Sequence, residues 1–172
     1  MPDSTTPFEI RPARVEDCST IVDLIRELAA YERLEHEVRA GPEEIRRNLF
    51  GPRPYAEALI AEADRGAVGL ALFFHNFSTF RGQPGIYLED LFVRPEYRGR
   101  GIGKALLASL ARLGVERGCG RVEWAVLNWN EPSIGFYRSL GALPQDDWTV
   151  YRVADAPLAR LAELAGEGLV RS

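Results

Sequence analysis

The run Arg98-Gly99-Arg100-Gly101-Ile102-Gly103-Lys104 has the residue types of an anion-binding turn. Glycines at alternate positions remove the Cβ where a backbone must bend tightly, so successive N–H groups can point into one concavity at a helix start. The run follows a strand-like stretch, residues 86–93, and opens an amphipathic one, residues 104–117. Arg94, Arg98, Arg100 and Lys104 cluster around it. They suit either the fixed phosphates of a ligand or a solvated, arginine-rich turn. Two familiar phosphate loops fail. Ala105 follows Gly103-Lys104, so there is no hydroxyl for a magnesium ion, and Lys104 stands where a dinucleotide loop needs its third glycine.

Other reactive residue types are sparse. The only cysteines are Cys18 and Cys119 and the only histidines His36 and His75, with no CxxC spacing, so neither a metal site nor a thiol nucleophile is expected. The acidic run Glu32, Glu35, Glu37 is either a solvated helix end or a mouth that steers cations.

A 172-residue chain with 46% hydrophobic and 27% charged residues suits one domain spanning residues 1–172, with residues 1–7 flexible and 155–172 a C-terminal helix and tail. Such a chain buries roughly two-thirds of its unfolded surface. A net charge of −4 argues against general nucleic-acid binding. No secretory signal pattern and no long apolar run is present, so a cytoplasmic protein without membrane association is expected.

The pattern predicts strands over residues 8–11, 55–62, 67–75, 86–93, 121–127 and 148–153. It predicts helices over residues 15–31, 42–49, 102–117, 130–140 and 158–164, with Asn130 as a cap and Pro132 in a first turn. Asp64-Arg65-Gly66 reads as a hairpin turn.

Arg98, Gly101 and Gly103 match the Arg/Gln-x-x-Gly-x-Gly/Ala pattern of the GCN5-related N-acetyltransferases, the GNAT superfamily. Several further segments resemble its diamine acetyltransferases, meaning spermidine/spermine N1-acetyltransferase and its thialysine-acetylating sibling. They include Ile10-Arg11-Pro12-Ala13, Glu27-Leu28-Ala29, Tyr31-Glu32, Tyr87-Leu88-Glu89-Asp90, Pro95-Glu96-Tyr97-Arg98-Gly99, Trp129-Asn130, Tyr137 and Leu140-Gly141-Ala142. The resemblance spans residues 8–153. It implies an α/β GNAT fold with a mixed, mostly antiparallel sheet of about six to seven strands, about four to five flanking helices and a splay at the acetyl-coenzyme A site.

It also implies roles, position by position. Leu91, Phe92 and Val93 fall where the strand holds the pantetheine arm, and Arg98, Gly99, Arg100, Gly101, Ile102, Gly103 and Lys104 where the pyrophosphate is held. Asn130, Glu131, Pro132 and Ser133 fall near the reacting end of the cosubstrate. Tyr31, Glu32, Glu89, Asp90, Glu123, Trp124, Ala125 and Asp146 fall on or near the amine pocket, and no metal is implied. Tyr137 falls on the general acid. A primary ammonium with a pKa near ~10.4 must lose a proton before it attacks a thioester, and Glu89, directly or through a water, is the candidate base. Tyr137, a phenol protonated at neutral pH, would protonate the departing thiolate.

The activity so implied is direct acetyl transfer from acetyl-coenzyme A to a primary amine of a small cationic acceptor, which is acyltransferase chemistry of the EC 2.3.1 class. The acceptor would be a diamine, a polyamine or a thialysine- or lysine-like amino acid. Ala125-Val126-Leu127-Asn128-Trp129-Asn130 looks more like the thialysine-type sibling. The alternatives are an acyl-coenzyme A sensor without turnover and a peptide N-acetyltransferase. Relatives form homodimers, so a homodimer is implied, with Trp148-Thr149-Val150-Tyr151 at an interface.

Overall fold

The computed structural model describes residues 7–64 and 66–165. Residues up to Ala125 form one compact unit and those from Val126 another.

The first unit is built on a sheet in the order β1-β2-β3-β4-β5, with strands β1 (Glu9–Pro12), β2 (Glu57–Ala63), β3 (Gly66–Ser78), β4 (Gln83–Val93) and β5 (Val122–Trp124). The first four pair antiparallel and β4–β5 pair in parallel. Helix α1 (Cys18–Glu32) carries Ile21, Val22, Leu24 and Leu28 at helical spacing, and buries them against Ala58, Ile60, Leu70, Leu72 and Phe92 of the sheet and Ile45 of α2 (Pro42–Phe50). Helix α3 (Ile102–Glu116) covers the other face. Gly114 brings its backbone close to Ile86 and Val122, and Leu106 packs at Gly69. Arg11 fastens the edge strand: its guanidinium holds Asp17 at 2.7 Å and Glu62 at 2.6 Å. Asp17 also accepts the Arg14 N–H at 2.6 Å, and with Arg11 this holds its carboxyl below the usual carboxylate range.

Two irregularities in β4 decide the site. The register pairs Phe73 with Leu88 and Leu72 with Asp90, leaving Glu89 as an extra residue, a β-bulge. Up to Leu88 the strand follows Ile86, which faces α3, whereas Phe92 lies in the core under α1. The bulge therefore exchanges the two faces. The second irregularity is a splay, because β5 meets β4 only from Ile86 to Leu88. From Glu89 to Val93, β4 has β3 on one side and, among the described residues, no strand on the other.

In the second unit α4 (Glu131–Ser139) starts at Asn130, whose side-chain oxygen accepts the Ser133 N–H at 3.3 Å, and α5 spans Asp155–Glu163. The expected strand over residues 148–153 does not form. Trp148, Val150 and Tyr151 are exposed, and among the described residues no neighbouring strand completes their hydrogen bonds. The sheet thus has five strands among the described residues rather than six or seven. The fifth is three residues long rather than seven. The β3–β4 hairpin runs further than its sequence suggests, because Gln83-Pro84-Gly85 reads as loop and yet pairs with Ser78, Phe77 and Asn76. Of the expected turn at 64–66, Arg65 lies outside the described residues.

Leu110 of α3 is fully buried. Leu110→Ala should lower unfolding free energy by about 2–5 kcal/mol, measured as a fall in the urea midpoint at unchanged slope.

Candidate active site

The glycine turn has the backbone its sequence demands. After a 3-10 turn over Pro95–Tyr97, Gly99 and Gly101 take φ of 74° and 84°, in the left-handed region where an L side chain is strained. A Cβ built at either position would meet nothing within 4 Å, so the glycines serve backbone direction and leave open space. Gly101 caps α3, and its carbonyl accepts the Ala105 N–H at 2.9 Å. The N–H groups of Ile102, Gly103 and Lys104 belong to the first turn, where a helix offers them no partner of its own. These features fit a pyrophosphate. Arg100 is held beside the turn, donating to the Glu96 carbonyl at 2.9 Å with its guanidinium 5.1 Å from the Tyr97 ring centre.

The free side of β4 presents backbone as well. The Arg94 N–H goes to the Val68 carbonyl at 2.9 Å, and the register makes Phe92 face β3 in the same way. By alternation Leu91 and Val93 turn their N–H and C=O groups to the splayed side. Arg98 takes one of these, its Nε donating to the Val93 carbonyl at 2.9 Å. The Arg98 guanidinium lies 4.5 Å from the Tyr31 ring centre and 5.8 Å from that of Phe92. Arg98, expected at the pyrophosphate, and Tyr31, expected at the amine, are thus stacked on each other. The Phe92 side chain is buried in the core, so only its backbone faces the sheet.

Beside β4 lies an open cavity of about 470 Å³, walled by Ile25, Leu28, Ala29 and Glu32 of α1, by Leu34, Glu37, Val38, Arg39 and Ala40 of the α1–α2 connector, and by Glu89 and Asp90. Consecutive strand residues normally point to opposite faces, and the bulge is what lets both carboxylates line one space. Burial pushes the Asp90 carboxyl up to about 6, with further pushes from Glu89 and Glu32. Burial likewise raises Glu32. An acidic cavity with an apolar α1 wall is suited to an alkyl chain carrying positive charge.

Other expected residues of the first unit stand apart from this cavity. Glu123 accepts from Asn76 Nδ2 at 2.8 Å and pairs with Arg121 at 2.8 Å. Trp124 ends β5 opposite Leu88, followed by Ala125, and neither lines the cavity. Asn130, Glu131, Pro132, Ser133, Tyr137 and the exposed Asp146 belong to the second unit, where the Tyr137 ring meets that of Phe136 at a tilt of 48°, with 5.4 Å between ring centres. Sequence reasoning passed over Val38, Arg39 and Ala40, which form no motif. Among the described residues no group of three or more His, Cys, Asp or Glu could hold a metal ion, and no helix is long and apolar enough to cross a membrane.

Residues 21–142 match the model of the acetyltransferase (GNAT) family, and the chain belongs to that family. It is an N-acetyltransferase, in a family whose members take the acetyl group from acetyl-coenzyme A. It is similar to the thialysine N-epsilon-acetyltransferase of Bos taurus, 37% identical over 89% of this chain and 96% of the relative. It is also similar to the L-ornithine N5-acetyltransferase of Arabidopsis thaliana, 30% identical over 90% of this chain and 88% of the relative. Among solved structures, an integron cassette protein from the mobile metagenome of V. cholerae superposes with a TM-score of 0.77 at 25% identity, over 91% of this chain and 98% of that one.

Asp90 makes stability depend on pH in a defined direction. Its folded pKa lies above the unfolded carboxyl value, so the native state binds the extra proton and stability is lost as pH rises from about 4 to about 6. A shift of that size is worth about 3 kcal/mol. Asp90→Asn should therefore gain stability relative to the native chain between pH 4 and pH 7 in urea titrations; parallel profiles would contradict the assignment.

Proposed function

We propose that the protein acetylates a primary amine of a small cationic acceptor, a diamine, a polyamine or a thialysine-like amino acid, by direct transfer from acetyl-coenzyme A. The observation that carries this reading is the bulge that turns Glu89 and Asp90 together into a cavity also lined by Glu32, next to the strand edge where Leu91 and Val93 offer their backbone. The family supplies the cosubstrate, whose thioester brings an activated acetyl carbonyl. The names of the relatives support an amine acceptor, because thialysine and ornithine both carry a side-chain amine. Arg39 on the cavity wall suits the carboxylate of such an amino acid.

In this reading the cavity carboxylates attract the ammonium, and Glu89, directly or through one water, takes its proton. The freed nitrogen forms its bond to the acetyl carbon. The Val93 N–H, on the splayed side of β4, stabilises the negative charge that develops on the carbonyl oxygen. As the carbon–sulfur bond breaks, Tyr137 gives its phenolic proton to the leaving sulfur, the acylated nitrogen sheds its second proton to solvent, and Tyr137 regains a proton from solvent. The Gly99–Lys104 backbone holds the pyrophosphate while Asn130 to Ser133 flank the reacting end.

The test is release of coenzyme A, followed with a thiol-reactive dye, over thialysine, ornithine, lysine, putrescine, spermidine, spermine and a short peptide. At least one free amine should turn over, with Glu89→Gln and Tyr137→Phe each lowering kcat by about 10²- to 10⁴-fold. Turnover of the peptide alone, or unchanged kcat in both variants, would contradict the reading.

A further inference from the structure

Helix α1 is tied twice to the segment between β4 and the glycine turn, and the ties are in step. Arg94 grips Glu27 with two nitrogens, Nη2 to Oε1 at 2.7 Å and Nε to Oε2 at 3.0 Å. Four residues on, the Arg98 guanidinium covers the ring of Tyr31 at 4.5 Å, itself four residues after Glu27. Glu27 and Tyr31 are neighbours on one helix face, and Arg94 and Arg98 bracket the 3-10 turn Pro95–Tyr97. Arg98 is anchored in turn on the Val93 carbonyl, at the strand end that leads into Gly99 and Gly101.

The residues between and after those two on α1, Leu28, Ala29 and Glu32, wall the acidic cavity. The helix then ends at Arg33 in the left-handed conformation, and the connector that follows supplies Leu34, Glu37, Val38, Arg39 and Ala40 to the same cavity. One helix end thus stands between the two binding regions, fixed to one by arginines and forming the wall of the other.

We propose that Arg94 and Arg98, through Glu27 and Tyr31, are positioning residues that couple the cosubstrate turn to the acceptor cavity, so that filling the turn steadies the α1 end and the connector at residues 33–40. This rests on the glycine turn being the coenzyme A site. A planar guanidinium that is bidentate at one tie and stacked at the other transmits position, because it fixes orientation as well as distance. A lysine in either place would keep the charge and lose that constraint. Ordering on binding propagates wherever a segment shares a rigid element with the filled site.

The experiment is amide hydrogen exchange of the full chain with and without coenzyme A, alongside calorimetry of coenzyme A binding. In the native chain coenzyme A should slow exchange at residues 98–105 and also, by about tenfold, at residues 33–40, a coupling of ordinary size. In Glu27→Gln/Tyr31→Leu the protection at 98–105 should persist and that at 33–40 be lost. Arg94→Lys should behave alike, and Tyr31→Phe, which keeps the ring, should retain both. Protection at 33–40 that survives in both the double variant and Arg94→Lys, or that never appears although coenzyme A binds, overturns the coupling alone. Absence of coenzyme A binding to the native chain overturns the cosubstrate site and the coupling with it.

Discussion

The site depends on one extra residue in one strand. Glu89 has no partner on β3, and that single insertion changes which face each later residue of β4 occupies. Before it, Ile86 packs toward α3; after it, Phe92 completes the core under α1. Both layers are filled by one strand because the strand switches sides in its middle. The same switch puts Glu89 and Asp90 into one cavity and turns the backbone of Leu91 and Val93 to the side where β5 has ended. Core, acidic cavity and splayed edge are three consequences of one bulge.

The arrangement costs stability. Asp90 is desolvated and faces two other carboxylates, which is why its proton is held up to about 6. Among the described residues no arginine is set against it in the way Arg11 is set against Asp17 and Glu62, or Arg117 against Glu57. Those structural carboxylates all sit below their ordinary range, whereas the cavity pair Glu32 and Asp90 sits above it. A bound ammonium would reverse the imbalance, which is the physical ground for proposing a cationic acceptor there.

Much of this was legible in the sequence. Arg98, Gly101 and Gly103 marked the turn, Ile21, Leu24 and Leu28 the buried face of α1, and Leu106 and Leu110 that of α3, because those signals are local. The bulge was not, since Ile86, Leu88 and Phe92 keep the even spacing of an uninterrupted strand and burial on both faces hides the change of side. Glu123 looked like a pocket carboxylate, but Asn76 and Arg121, distant or adjacent in sequence, claim it. The apolar run from Trp148 has the composition of a strand and lacks a strand to pair with among the described residues. Pairing across the fold is not written in local pattern.

The central claim is that the carboxylates on and opposite the β4 bulge select a cationic acceptor. The most direct measurement compares kcat/KM for 1,3-diaminopropane and for propylamine at saturating acetyl-coenzyme A, two amines that differ chiefly by a second ammonium. One extra charge near partly buried carboxylates is worth enough to favour the diamine by at least about tenfold, an advantage that shrinks as salt is raised. Equal efficiency for the two, or a preference that ignores salt, would contradict the account.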